Sequence, residues 1–147
     1  MILAPGARAP EFALPDQFGV TRRLEGRGLV LAFVPFAFSR VCTGELHELD
    51  AALPMFERAE VDLLVASVDA KYALRAWAEG VRLALVSDFW PHGAVARAYG
   101  AFDEDAGFAR RASFAIDETG VIRASFAAPA GESRPISAYR EALATLT

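Results

Sequence analysis

Two nearly uninterrupted apolar segments constrain the fold of this chain more than any other feature. LVLAFV spans Leu29 to Val34, and VDLLVASV spans Val61 to Val68. Such runs are typical of strands that are covered on both faces. A segment with helical spacing follows each of them, between Leu46 and Phe56 and over Lys71 to Glu79. Pro54 lies inside the first helical segment and is expected to kink it or to split it in two.

The remaining segments extend the alternation of strands and helices. We expect a small hairpin around Asp16 to Gly19, a third buried strand at LALVSD, and a short helix over His92 to Gly100. A second hairpin turns at Asp117 to Gly120, and a last helix runs from about Pro135 to Leu146. The sequence therefore predicts an α/β protein with a central mixed sheet, flanking helices and an N-terminal β-hairpin.

The length, the net charge and the apolar runs of the chain exclude several classes of protein. The 147 residues suit one domain, residues 1–147, and the formal net charge of −4 argues against nucleic acid or an anionic membrane as a partner. The longest apolar run has ten residues, Leu29 to Phe38, about half of what a transmembrane helix requires. The N-terminal residues do not resemble a secretory signal, so we expect a cytoplasmic protein. Its two histidines and one cysteine lack metal-ligand spacing, and no cofactor is expected.

Cys42 is the only cysteine, which excludes an intrachain disulfide. It follows a buried strand and falls in the first turn of the next helix, with Ser39 placed to cap that helix. Free backbone N–H groups and the helix dipole favour a thiolate there, so we predict a reactive thiol rather than a buried structural one. His47 lies about 140° around the helix from Cys42 and is expected at the surface. Glu45 shares the face of Cys42, where it requires a cationic partner.

The residues Pro35, Ser39 and Cys42 form the pattern P-x-x-x-S-x-x-C, which resembles the active-site loop of the peroxiredoxins. Three further segments resemble motifs of that family in the same order: GARAPEF at Gly6–Phe12, SDFWPHGAVARAYGAF at Ser87–Phe102, and RASFAID at Arg111–Asp117. The resemblance covers nearly the whole chain. The stretch SDFWPHGAV and the single cysteine together look most like the alkyl hydroperoxide reductase E type, a one-cysteine group typical of actinobacteria. The resemblance implies a thioredoxin-like fold.

The resemblance also implies a role for each matching residue. Cys42 would be the peroxidatic nucleophile that attacks hydrogen peroxide or an organic hydroperoxide and becomes a sulfenic acid. Ser39, which replaces the more common threonine, would donate a hydrogen bond to the peroxide, and Arg111 would stabilise thiolate and peroxide. Pro35 would shield the thiolate from water, and Glu45 would help to hold the arginine. Strand alternation points only one of the adjacent Arg110 and Arg111 inward, and the spacing to Ser113 and Phe114 favours Arg111.

Recycling would require an external thiol, because no second cysteine is present. The resemblance suggests a low-molecular-weight thiol with a redoxin, such as mycothiol with mycoredoxin, and a homodimer formed through loops around the cysteine. Phe36 and Phe38 are expected to form an apolar entrance that favours organic and fatty-acid hydroperoxides. Trp90 and His92 are expected either in the wall of the peroxide pocket or in the dimer contact, with core packing of Trp90 and a loop cap by His92 as the alternative.

Three competing functions can be weighed on the same residues. A redox-inert thioredoxin-fold module for dimerisation or partner binding would need none of Ser39, Cys42 and Arg111, yet all three are present. A cysteine hydrolase would need a histidine base beside the thiol, which helix geometry disfavours for His47. A disulfide oxidoreductase is excluded because its C-x-x-C motif is absent.

Overall fold

The computed structural model describes residues 1–147. Its regular elements follow the predicted alternation of strands and helices. The strands are β1 (Ala13–Pro15), β2 (Thr21–Arg23), β3 (Leu29–Phe33), β4 (Asp62–Ser67), β5 (Ala84–Ser87), β6 (Phe102–Asp103), β7 (Phe108–Ala109), β8 (Ala112–Ile116) and β9 (Ile122–Ala127). The helices are α1 (Arg40–Ala51), α2 (Leu53–Arg58), α3 (Lys71–Trp77), α4 (Ala94–Ala98) and α5 (Ile136–Ala144).

A five-stranded mixed sheet in the order β5-β4-β3-β8-β9 forms the centre of the molecule. The strands β3, β4 and β5 run parallel, whereas β8 is antiparallel to both β3 and β9. In the register of the central strand, Leu31 lies opposite Leu64 on one side and Phe114 on the other. The strands β1 and β2 form a separate N-terminal hairpin. The predicted mixed sheet and N-terminal hairpin are thus confirmed.

Both faces of the central sheet are covered, which explains the continuous apolar run of β3. Val30 and Ala32 pack into a core layer formed with α1, α2, α3 and α5. Leu31 and Phe33 point to the other face, where α4 and the N-terminal arm complete a second layer. All five residues of β3 are buried. None of the five helices is both long and apolar enough to cross a membrane.

Pro54 divides the first helical segment rather than bending it. Helix α1 ends at Ala51, and α2 begins at Leu53 with the proline in its first turn, where a missing N–H breaks no helical hydrogen bond.

The β6–β7 hairpin was not predicted. Its strands have two residues each, too few to show any alternation of apolar and polar side chains.

Candidate active site

Cys42 lies in the first turn of α1, directly after the loop that leaves β3. Ser39 has an extended backbone and caps the helix, because its Oγ accepts a hydrogen bond of 3.3 Å from the N–H of Cys42. The predicted N-cap is therefore present. The cysteine is fully buried, with none of its surface exposed.

Sheet pairing brings Arg111 to this cysteine from a distant part of the chain. Because β8 is antiparallel to β3, with Ala32 opposite Ser113, the beginning of β8 lies beside the end of β3. Arg111 immediately precedes β8, and its Nη2 lies 3.0 Å from the Cys42 sulfur. Arg111 is buried, whereas Arg110 is exposed. The two adjacent arginines thus point in opposite directions.

Glu45 lies one turn after Cys42 and is almost completely buried. Its Oε1 accepts a hydrogen bond of 3.2 Å from Nε of Arg111. A second arginine, Arg134, approaches the same carboxylate from the residues before α5. Nη2 of Arg134 lies 2.9 Å from Oε1, Nε lies 2.9 Å from Oε2, and the backbone N–H donates to Oε2 at 2.7 Å. Glu45 is therefore held between two buried guanidinium groups.

The polar cluster continues from Arg134 to Ser113 and Tyr139. Nη1 of Arg134 donates to Ser113 Oγ at 3.0 Å, and that oxygen lies 2.9 Å from the Tyr139 hydroxyl. Burial raises the pKa of Tyr139 and keeps its hydroxyl neutral. No buried side-chain nitrogen or oxygen in the structure lacks a hydrogen-bond partner. The cluster is thus fully satisfied, as buried polar networks must be.

Electrostatics within the cluster favour an ionised Glu45. Burial by itself raises the pKa of this carboxyl, because it disfavours the charged form. The hydrogen bonds and positive charge of Arg134, with the charge of Arg111, outweigh burial and hold the pKa below its ordinary value. Glu45 therefore remains an anion that can fix the orientation of both arginines.

A cavity of about 670 Å³ opens next to this cluster. Its wall includes Pro35, Phe36, Ser39, Val41, Phe108 and Arg111. Cys42 is not part of the wall, so Ser39 and Arg111 are the polar groups of the site that a molecule in the cavity meets first.

The other sequence-predicted residues lie away from this cavity. Phe38, Trp90 and His92 are exposed and do not line it, and Nε2 of His92 lies 2.7 Å from the carbonyl oxygen of Gly107. The predicted core packing of Trp90 does not occur, because 79% of this residue is exposed. Its alternative role in a dimer contact stays a prediction. His47 is exposed, as expected, and forms no pair with the thiol.

Comparisons with known proteins show the family of this chain. The family model described as AhpC/TSA family matches residues 5–125. Alkyl hydroperoxide reductase E of Mycobacterium tuberculosis is 41% identical over 99% of this chain and 99% of its own length. The chain belongs to the AhpC/TSA family. Peroxiredoxin TSA1 of Saccharomyces cerevisiae, a more distant relative, is 36% identical over 69% of this chain and 55% of its own length.

Solved structures support the same assignment of fold for this AhpC/TSA chain. The peroxidoxin BcpB from Mycobacterium tuberculosis superposes with a TM-score of 0.83 at 26% identity and covers 97% of this chain and 96% of its own. A reduced 2-Cys peroxiredoxin of Plasmodium vivax gives a TM-score of 0.86 at 24% identity, over 97% of this chain and 81% of its own. The predicted peroxiredoxin resemblance and thioredoxin-like fold are confirmed.

Sequence reasoning missed Arg134, Ser113 and Tyr139. Arg134 is followed by Pro135 at the start of the last helix, a context in which an arginine is ordinarily exposed. The available signal was indirect: Glu45 needed a cation, and the resemblance assigned that role to Arg111 alone. A second arginine could be found only from the structure.

Replacing Glu45 by glutamine tests the electrostatic role of the carboxylate. At pH 7 we expect the free energy of unfolding to fall by about 3 kcal/mol, because two buried guanidinium groups lose their counter-charge. The pKa of Glu45 is lowered by folding, so its stabilisation is complete above the pKa of the unfolded chain. The difference between wild type and Glu45→Gln should shrink as the pH falls below about 4.3.

Urea unfolding at a series of pH values measures this difference. Glu48→Gln is the matched control, since Glu48 lies on the exposed side of the same helix. A difference that stayed constant down to acidic pH would contradict the assigned charge of Glu45.

Proposed function

We propose that this chain reduces hydroperoxides through Cys42. The single observation that carries the proposal is the Arg111 guanidinium 3.0 Å from the sulfur, on the wall of an open cavity. The thiolate would attack the terminal peroxide oxygen, so that an S–O bond forms while the O–O bond breaks. The departing oxygen takes a proton and leaves as water or an alcohol, and the sulfur becomes a sulfenic acid. Family membership and the name of the mycobacterial relative support this chemistry.

The residues around the sulfur suit the charge that develops in this step. Negative charge spreads over the sulfur and the departing oxygen, and Arg111 supplies a fixed positive group beside the sulfur. Ser39 would donate its hydroxyl hydrogen to the peroxide from the cavity wall. Pro35 has no N–H to compete for the peroxide and shields the sulfur from water. Glu45 would act as a positioning residue, because it holds Arg111.

We propose that an external thiol reduces the sulfenic acid. With a single cysteine, the chain can form no intramolecular disulfide. A low-molecular-weight thiol acting with a redoxin, of the mycothiol and mycoredoxin kind, fits the similarity to a mycobacterial relative. A cytoplasmic location is proposed with it, because that compartment keeps thiols reduced.

The cavity supports organic hydroperoxides as substrates alongside hydrogen peroxide. Its volume of about 670 Å³ exceeds what hydrogen peroxide occupies, and Phe36, Val41 and Phe108 give it an apolar surface. The rings of Phe36 and Phe108 contact each other with centroids 4.9 Å apart. A fatty-acid hydroperoxide would place its chain along this surface and its peroxide group at Ser39 and Arg111.

A homodimer is the assembly that we propose. Phe38 and Trp90 follow the carboxyl ends of β3 and β5, and they are 63% and 79% exposed. Because β3, β4 and β5 run parallel, the residues that follow β3 and β5 lie at the same end of the sheet. Exposed aromatic groups at one end of the sheet are typical of an interaction surface, here for a second copy of the chain.

Replacing the nucleophile tests the proposed activity directly. Cys42→Ser should abolish peroxide consumption with dithiothreitol as the reducing thiol, because a serine hydroxyl is not oxidised by peroxide. Urea unfolding serves as the control that the variant remains folded. Consumption close to the wild-type rate would exclude Cys42 as the nucleophile and favour a redox-inert binding module.

The adjacent arginines offer a matched pair of variants. Arg111→Ala should slow oxidation of Cys42 by about 10² to 10³, because it removes the charged donor beside the sulfur. With hydrogen peroxide as substrate, Arg110→Ala should leave the rate close to that of the wild type, since Arg110 lies on the cavity wall but only Arg111 bonds to the sulfur. Stopped-flow fluorescence can follow the reaction, since Trp77 donates from Nε1 to Thr43, the neighbour of Cys42. Mass spectrometry of quenched samples checks the product, and equal effects of the two variants would contradict the assignment.

If the dimer forms through this surface, a charge introduced at Trp90 should dissociate it. Trp90→Glu should convert the protein to monomers in sedimentation velocity at micromolar concentration, because a buried carboxylate would lack a partner in the interface. Phe18→Glu is the control, since Phe18 is 68% exposed and its neighbour Gln17 bonds to Leu83 and Leu85 at the other end of β5. Monomeric wild type, or equal dissociation by both variants, would contradict the proposed interface.

A further inference from the structure

A polar cluster outside the active site joins the carboxyl ends of the three parallel strands. Asp69 lies two residues after β4, and its Oδ2 accepts a hydrogen bond of 2.7 Å from the hydroxyl of Ser67. The hydroxyl of Ser87, at the end of β5, donates to the backbone carbonyl of Asp69 at 2.6 Å. The side chain and backbone of Asp69 are therefore fixed by both neighbouring strand ends.

The same carboxylate reaches the loop that carries the proposed catalytic residues. Oδ2 of Asp69 accepts the backbone N–H of Ala37 at 2.7 Å. Among the residues from Phe36 to Ser39, Ala37 is the only one whose N–H meets an acceptor in the protein. Between Phe36 and Ser39, the loop is thus attached to the strand ends through a single backbone N–H.

The backbone that follows Ala37 needs such an attachment. Phe38 has a φ of +69°, in the left-handed region that residues other than glycine rarely adopt. Its side chain is exposed, so packing against the protein contributes little to holding this conformation. Ser39 comes next and must present its Oγ to the N–H of Cys42. A strained backbone persists only where the surrounding structure determines it, and Asp69 supplies that constraint.

We propose that Asp69 is a positioning residue for the oxidation of Cys42. This inference rests on the proposed function. The carboxylate fixes Ala37, Ala37 fixes the left-handed turn at Phe38, and the turn sets the position of the Ser39 hydroxyl on the cavity wall. Pro35, two residues before Ala37, is held by the same attachment. Without it, the loop would sample other conformations, and the peroxide would meet its donors in the reactive geometry less often.

Two reactions of the Cys42 sulfur, oxidation by peroxide and alkylation by iodoacetamide, distinguish a positioning role of Asp69 from a general effect on the stability of the protein. Oxidation by peroxide requires Ser39 and Pro35 in place, whereas alkylation by iodoacetamide requires only a thiolate that the reagent can reach. Asp69→Ala should lower the second-order rate constant for peroxide at least about tenfold, because small misplacements of reacting groups have large kinetic effects. Its alkylation rate constant should stay equal to that of the wild type or rise.

Two further variants define the interaction. Asp69→Asn keeps an oxygen that can accept the Ala37 N–H, so its peroxide rate constant should remain close to that of the wild type. Asp69→Glu keeps the charge but displaces the carboxylate by one methylene group, and it should react slowly with peroxide as Asp69→Ala does. The glutamate variant provides the test if the alanine variant fails to fold. Asp50→Ala is the matched control, since Asp50 accepts the N–H of Arg82 at 2.8 Å on the surface.

The outcomes distinguish this inference from the function on which it rests. Wild type that reacts with peroxide no faster than free cysteine would overturn the proposed function. Fast oxidation of wild type and of Asp69→Ala alike would overturn only the role of Asp69. A loss in Asp69→Asn as large as that in Asp69→Ala would overturn it too, as would an equal loss in both reactions.

Discussion

A buried carboxylate needs positively charged partners. Glu45 has two, Arg111 and Arg134, and the site is built around these ion pairs. Arg111 and Arg134 are both buried, so each guanidinium needs the carboxylate as much as the carboxylate needs them. One negative and two positive charges leave the cluster with an excess of one positive charge. The Cys42 sulfur lies directly against Arg111, where a thiolate would complete the balance. The ion cluster and the proposed nucleophile are thus parts of one electrostatic arrangement.

The fold makes this arrangement possible by bringing three separate parts of the chain to one end of the sheet. Helix α1 supplies the sulfur and the carboxylate one turn apart, which places both on the same side of the helix. Antiparallel pairing of β3 and β8 supplies Arg111, and the residues before α5 supply Arg134. The loop after β3 completes the site, and from Phe36 to Ser39 its backbone is attached to the strand ends only through Asp69.

Local sequence patterns predicted those parts of the structure that are determined by residues close to one another in the sequence. The apolar runs indicated β3 and β4, Pro54 indicated the break between α1 and α2, and the spacing to Ser113 and Phe114 favoured Arg111 over Arg110. The short β6–β7 hairpin was not predicted, because strands of two residues are too short to show an alternation of apolar and polar side chains. The role of Arg134 was not predicted for a different reason. Its partner Glu45 is 89 residues away, and no pattern in the intervening sequence indicates that the two residues are in contact. Buried charge pairs of this kind become visible only in three dimensions.

The same separation has a consequence for biosynthesis. A ribosome releases the chain from its N-terminus, so Cys42 and Glu45 emerge well before Arg134, which comes 89 residues after the glutamate. At ordinary translation speeds this delay is on the order of ten seconds. During that time the ion cluster lacks Arg134, and for most of it Arg111 as well. The enclosed environment of the sulfur can therefore form only after Arg134 has been synthesised.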